Sequence, residues 1–256
     1  MTIDGARARG PLARLHAIVP ARGLAHGKAR LGSALDAEER AAVVIGLLRW
    51  TLDVIATLPQ VSAAHVVSAD PALLELARRA GATAVADEAA AGSSSTDGAD
   101  ALNAALRQAR AAALAAGASA LLYLPADLPL LSRAALERLI DAADAAIAAG
   151  AGRPAVVIAP ADARGGTNAL LLVPADVIEP SFGQASLTAH LLSAAAAGAT
   201  VQVVGDPELG FDLDTPDDLE RLDSDRLVEL QALGEATLDQ LAAVGAAESF
   251  ATVDIG

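Results

Sequence analysis

Three short stretches bring together residue types suited to moving a charged phosphoryl or nucleotidyl group. In residues 19–31 (VPARGLAHGKARL), Arg22, Lys28 and Arg30 put three cations within nine residues, and Gly23 and Gly27 let the backbone approach a ligand closely. Cations and free backbone N–H groups in a loop after a buried strand are what a triphosphate requires. The run from Pro20 to Arg30 matches neither GxxxxGK[ST] nor GxGxxG, which removes the P-loop and dinucleotide fingerprints. A solvated basic loop is the plain alternative. In residues 125–131 (PADLPLL), Asp127 stands between two prolines among apolar residues, where a carboxylate is costly unless paired. A divalent cation is the natural partner, since carboxylate oxygen suits Mg2+; the alternative is a turn or N-cap aspartate. In residues 210–219 (GFDLDTPDDL), Asp212 and Asp214 are two apart, so an extended backbone turns both carboxylates to one side. Thr215 and Pro216 read as the N-cap and first residue of a helix, which assigns Asp217 and Asp218 to its dipole. Asp127 with Asp212 and Asp214 would then form a carboxylate cage for Mg2+, of the kind used in nucleotidyl transfer.

Two further segments, 163–169 (ARGGTNA) and 181–186 (SFGQAS), are polar and glycine-rich. The first is expected to join two strands. The second ends at Ser186, read as the N-cap of a helix whose N-terminus attracts an anion. Both would suit a small phosphorylated or carboxylated acceptor, and both also read as ordinary turns. Of the histidines, His16 and His65 read as structural, His26 lies in the basic loop, and His190 follows Ser186 by one helical turn, within possible reach of an acceptor. With no cysteine and no Ser-His-Asp set, covalent nucleophilic catalysis is disfavoured.

These segments must be held by a scaffold, and the apolar pattern supplies one. Strands are expected at 15–20, 64–68, 82–86, 120–124, 155–159, 169–173 and 200–204, with helices at 36–58, 71–80, 99–116, 132–149 and 186–197. Strands separated by helices of this length predict a single Rossmann-like, three-layer α/β/α domain with a mostly parallel, mixed sheet. The candidate segments would then lie beyond the carboxyl ends of the strands, where open α/β sheets bind ligands. Residues 1–14 read as an N-terminal extension and 15–222 as the domain. Residues 223–256 read as an acidic helical tail with Leu227, Leu230, Leu233, Leu238 and Leu241 at helical spacing.

Composition narrows the classes. The 256 residues are 54% hydrophobic but only 2% aromatic, and no stretch of about 20 residues runs apolar without charge, Gly or Pro, so no membrane span is expected. The N-terminus has no apolar signal region, and the lack of cysteine excludes a disulfide scaffold. A cytoplasmic enzyme is the expectation. The net charge of −14 argues against nucleic-acid binding, yet residues 1–50 carry eight Lys/Arg against four Asp/Glu, which suggests a small anionic ligand held at one place.

The segments VPARGLAHGKARL, VVSADP, ALNAAL, LPADLPLL, GGTNALL, FGQAS and FDLDTPDDL occur in the order seen in the phosphoenolpyruvate/2-phospho-L-lactate guanylyltransferases of coenzyme F-420 biosynthesis, which the chain resembles over about residues 15–222. The resemblance implies a GT-A-like nucleotidyltransferase fold and transfer of GMP from GTP to a small phosphorylated carboxylic acid, with release of pyrophosphate. It favours phosphoenolpyruvate, with 2-phospholactate and 3-phosphoglycerate as alternatives. It further implies that Pro20, Arg22, Gly23, Lys28, Asn103 and Asp127 meet the nucleotide and that Lys28, Arg30 and Asp127 carry catalysis. Asp127, Asp212 and Asp214 would hold Mg2+, and Thr167, Asn168, Gly183 and Ser186 would cradle the acceptor. Arg22 stands where the family usually has lysine, keeping the charge in a different geometry. A homodimer is compatible with all of this. The rival readings are another GT-A nucleotidyl- or glycosyltransferase and a non-catalytic GTP-binding module.

Overall fold

A computed structural model describes residues 10–24, 28–88, 98–162 and 165–243. Strands β1 (Leu15–Pro20), β2 (Val61–Ser68), β3 (Thr83–Ala86), β4 (Ala120–Tyr123), β5 (Ala155–Pro160), β6 (Thr167–Val173) and β7 (Thr200–Val203) form one sheet in the order β3-β2-β1-β4-β6-β5-β7. Every strand runs the same way except β6, which is antiparallel to both β4 and β5. The expected mixed, mostly parallel sheet is therefore present. The helices are α1 (Ala37–Ala56), α2 (Pro71–Arg79), α3 (Gly98–Ala115), α4 (Arg133–Gly150), α5 (Ser186–Ala196), the single turn α6 (Pro207–Gly210), α7 (Pro216–Arg221) and α8 (Ser224–Ala242).

Alternation along the strands divides the core into two layers. Leu15, Ala17 and Val19 face α1, α2 and α4, whereas Ile18, Leu121, Tyr123, Leu170 and Leu172 face α3 and α5. All seven residues of β6 are buried, as a strand covered on both faces requires. Helix ends follow local chemistry. Asp36 accepts from Glu39 N while the Glu39 side chain returns to Asp36 N, a complete capping box. Asp70 caps α2 ahead of Pro71, and Gly81 leaves that helix at φ 80°.

Several boundaries differ from expectation. β2 begins at Val61, α1 ends at Ala56, and the single turn α6 lies where no helix was expected. Thr167 and Asn168 belong to β6 rather than to the loop before it. Ser186 is not an N-cap: Ala185, at φ 57°, holds that position without a side-chain cap, and Ser186 is the buried first residue of α5. His26 and residues 92–97, 163–164 and 244–256 lie outside the described residues.

The helix read in the acidic tail is α8, which crosses α1 with its backbone almost touching. A Cβ on Gly46 would lie 1.9 Å from Leu230 O, and one on Gly234 would lie 1.9 Å from Ala42 O. Leu230 completes a third apolar cluster with Leu31, Leu35, Val43, Leu47, Phe211, Leu213 and Leu222. His16 and His65 are buried core residues as read, with His16 Nδ1 3.1 Å from His65 Nε2 and the two rings stacked. No described helix is long and apolar enough to cross a membrane.

Candidate active site

Because β6 runs backwards, its first residues lie at the same sheet edge as the last residues of β1 and β4. Pro20, the 125–127 turn, Thr167 and Asn168 are thus brought to one edge from three central strands. Two cavities open there. The first, ≈ 360 Å³, is walled by Pro20, Arg22, Lys28, Arg30 and the α1 residues Val44, Leu47 and Leu48. The second, ≈ 280 Å³, is walled by Thr167, Asn168, Phe182, Gly183, Ser186 and Asp212. Pro20, Leu102, Pro125, Asp127 and Asp214 belong to the walls of both.

Lys28 sits at that junction. Its backbone is left-handed, at φ 53°, and its Nζ lies 2.9 Å from Asp127 Oδ2 and 2.8 Å from Asp214 Oδ1. Burial acts to lower the Lys28 pKa, but the Asp127 and Asp214 carboxylates outweigh it and hold the pKa above the ordinary lysine value. Leu213 N donates to Asp127 O at 3.0 Å, pinning the Asp212–Asp214 strand beside the 125–127 turn. Asp214 is held in turn by Asp218, whose Oδ2 accepts from Asp214 N, Thr215 N and Thr215 Oγ1 at 3.0, 2.8 and 2.8 Å. Thr215 and Pro216 start α7 as expected. Asp218 therefore does more than face a helix dipole, and its place as fourth residue of the T-x-x-D capping box was the signal available for it.

Among the described residues no three His, Cys, Asp or Glu side chains are grouped closely enough to hold a metal ion on their own. What the fold gathers is the Asp127–Asp214 pair. Two hard oxygens already converging on one cationic atom fit Mg2+ as two of its ligands, and such an ion and the Lys28 ammonium would compete for the same point.

The second cavity is built by hydrogen bonds distant in sequence. Thr167 Oγ1 lies 3.0 Å from His190 Nδ1, and His190 Nε2 accepts from Ser181 N at 2.9 Å. His190 is fully buried, and burial pushes its pKa down to about 4; it stands behind the cavity wall rather than in it. Asn168 Nδ2 donates to Gly210 O at 3.0 Å. Gly183 is at φ 132°, and a Cβ there would press on Ala99 Cβ at 3.0 Å, so glycine is needed.

Two expected nucleotide residues hold the walls instead of lining them. Asn103 donates from Nδ2 to Ala99 O and Phe182 O, and accepts at Oδ1 from Phe182 N, so its amide anchors the 181–183 segment. Gly23 packs on Asp70, which also accepts from Leu24 N at 2.8 Å and so ties the cationic loop to α2. Asp70 was legible only as a helix cap before Pro71.

The fold is similar to a solved structure described as a nucleotide-diphospho-sugar transferase from Desulfovibrio desulfuricans G20, with a TM-score of 0.62 at 16% identity, covering 88% of this chain and 97% of that one. It is also similar to 4-diphosphocytidyl-2C-methyl-D-erythritol synthase, with a TM-score of 0.53 at 16% identity, covering 86% and 98%. The fold is that of a nucleotidyltransferase. At higher resemblance, the chain is 43% identical over 210 residues to a phosphoenolpyruvate guanylyltransferase of Rubrobacter xylanophilus, covering 81% of this chain and 93% of the relative. It is 37% identical over 206 residues to one of Sphaerobacter thermophilus, covering 80% and 91%. Residues 15–223 match the family model described as guanylyl transferase CofC like, and the chain belongs to that family.

Proposed function

We propose that the chain transfers GMP from GTP to phosphoenolpyruvate, releasing pyrophosphate, as a step of coenzyme F-420 biosynthesis. The observation that carries this reading is the meeting of two cavities at Lys28, Asp127 and Asp214. The cation-rimmed first cavity takes the nucleotide, and the hydroxyl- and amide-walled second takes the acceptor. An acceptor phosphate oxygen attacks the α-phosphorus, the new P–O–P bond forms, and the bond to the β-phosphate oxygen breaks. The attacking oxygen is already ionised at neutral pH, so no strong general base is needed. The work left to the protein is positioning and charge neutralisation. Lys28 and Arg30 meet the charge of the phosphates, while Pro20, Arg22 and the backbone near Gly23 shape the nucleotide cavity. Mg2+ held by Asp127 and Asp214, with Asp212 at the acceptor side, supplies charge neutralisation at the phosphates when bound. The names of the relatives favour phosphoenolpyruvate over 2-phospholactate and 3-phosphoglycerate.

The test is pyrophosphate release from GTP with each of these acceptors, with and without Mg2+. Turnover is expected with phosphoenolpyruvate and Mg2+ only. Asp127→Asn is expected to abolish it while leaving the fold intact; near-wild-type turnover of that variant would sink the assignment.

A further inference from the structure

The hydrogen bonds of His190 determine which ring nitrogen carries its proton. Ser181 N–H only donates, so the Nε2 that it reaches at 2.9 Å is bare. The fully buried ring is neutral, so its proton is on Nδ1. Nδ1 lies 3.0 Å from Thr167 Oγ1, which makes His190 the donor and the hydroxyl oxygen the acceptor. Among the described residues His190 is the one hydrogen-bond partner of Thr167 Oγ1, so the hydroxyl keeps its own proton to give. Thr167 opens β6 and lines the second cavity.

We infer that His190 is a positioning residue that sets the Thr167 hydroxyl as a fixed hydrogen-bond donor to an anionic oxygen of the acceptor. This rests on the reading of the second cavity as the acceptor site. The need is physical: the described walls of that cavity carry Asp127, Asp212 and Asp214 and no Lys or Arg. Beyond the Lys28 ammonium shared by Asp127 and Asp214, an anion entering it gains from oriented donors, and a hydroxyl turned to present lone pairs would repel it. The arrangement is rigid because Asn103 clamps both the N–H and the C=O of Phe182, next to Ser181. The Phe182 ring meets His190 edge-on at 5.1 Å. A buried site built to hydrogen-bond one oxygen discriminates against ligands that lack it.

The test is a double-mutant cycle read on the acceptor KM, with GTP KM and the thermal melt as controls. Thr167→Val is expected to raise the acceptor KM on the order of tenfold with the GTP KM unchanged, as loss of a hydrogen bond to a charged group implies. Thr167→Ser is expected to retain wild-type values. His190→Phe is expected to match Thr167→Val and to add nothing to it in the double variant; His190→Gln, whose amide offers N–H donors at one end and an acceptor oxygen at the other, is expected to restore part of the loss. Additive losses, or equal losses for GTP and acceptor, would overturn the inference. A long-range ¹H–¹⁵N spectrum of the wild-type protein gives a readout that needs neither turnover nor a stable variant. It is expected to show the Nδ1–H tautomer of His190, and the Nε2–H tautomer would overturn the inference. Failure of all acceptors to release pyrophosphate would count against the proposed reaction and leave that tautomer measurement standing.

Discussion

Lys28 is a monovalent cation shared by two carboxylates, and its removal has a definite sign. Without the ammonium, Asp127 and Asp214 lose the cation they share, and the site loses one positive charge set beside the phosphates. Lys28→Met is expected to lower kcat on the order of a hundredfold or more, comparable to losing one preorganised charge stabiliser. Lys28→Arg is expected to recover only part, because a planar fork does not fill a point where two oxygens converge. Steady-state pyrophosphate release with melts as controls would decide it; a Lys28→Met enzyme within threefold of wild type would exclude Lys28 from the chemistry. At this scale the sequence was informative about charge: the cations of 22–30 and the aspartates at 127 and 214 were legible as one site although about 100 and 190 residues separate them. Asn103 and His190 were not legible in their roles, since each acts through a backbone group whose position only the tertiary fold sets.

Among the elements, α1 and α8 form the pair on which the catalytic turn leans. Trp50 Nε1 donates to Leu131 O at 2.8 Å, Arg226 Nε donates to Pro129 O at 2.8 Å, and the Arg226 guanidinium lies 4.0 Å from the centre of the Trp50 ring. Residues 129–131, just past Asp127, are thus gripped by both helices. The grip depends on backbone contact at Gly46 and Gly234. Gly234→Ala gains about 1 kcal/mol of helix propensity but drives a methyl group into the Ala42 carbonyl, an overpacking that costs up to about 3 kcal/mol. Net destabilisation of about 2 kcal/mol is expected in urea unfolding, and a variant more stable than wild type would show that the helices do not meet this way. Helices with strong caps were legible locally, α1 from Asp36 and α7 from Thr215 and Pro216. The start of α5 was not, because Ala185 adopts a left-handed conformation that nothing in its side chain favours. The reversal of β6 was equally hidden: a strand buried on both faces is apolar in either direction, and Thr167 and Asn168 looked like loop residues because their partners, His190 and Gly210, are 23 and 42 residues away.

For the molecule as a whole, the alanine-rich core leaves three buried histidines among its few interior polar groups. Burial lowers the pKa of His16, assisted by Arg14, that of His65, assisted by His16, and that of His190 to about 4. Each folded pKa lies below the ordinary value of 6.5, so between the two the unfolded chain binds protons that the folded chain refuses. The stability these groups contribute is complete above pH 6.5 and is lost as pH falls through that value. Asp206 acts in a lower window. Burial alone would raise its pKa, but Arg138 and the backbone N–H of Glu208 bring it below 3.8, so its contribution is lost only below that value. Between pH 7.5 and 5 the histidines therefore dominate among these groups, and His190 by itself accounts for a loss of about 2 kcal/mol. Urea unfolding across that range is expected to show stability falling with acid. A folded His190→Gln variant, having lost one proton-refusing group, is expected to give a shallower slope by about one proton at the acid end. A wild-type profile that stays flat to pH 5 would mean that the folded chain takes up protons as readily as the unfolded one, so that the bonds of His190 to Ser181 and Thr167 do not hold its ring in the single-proton state at acid pH.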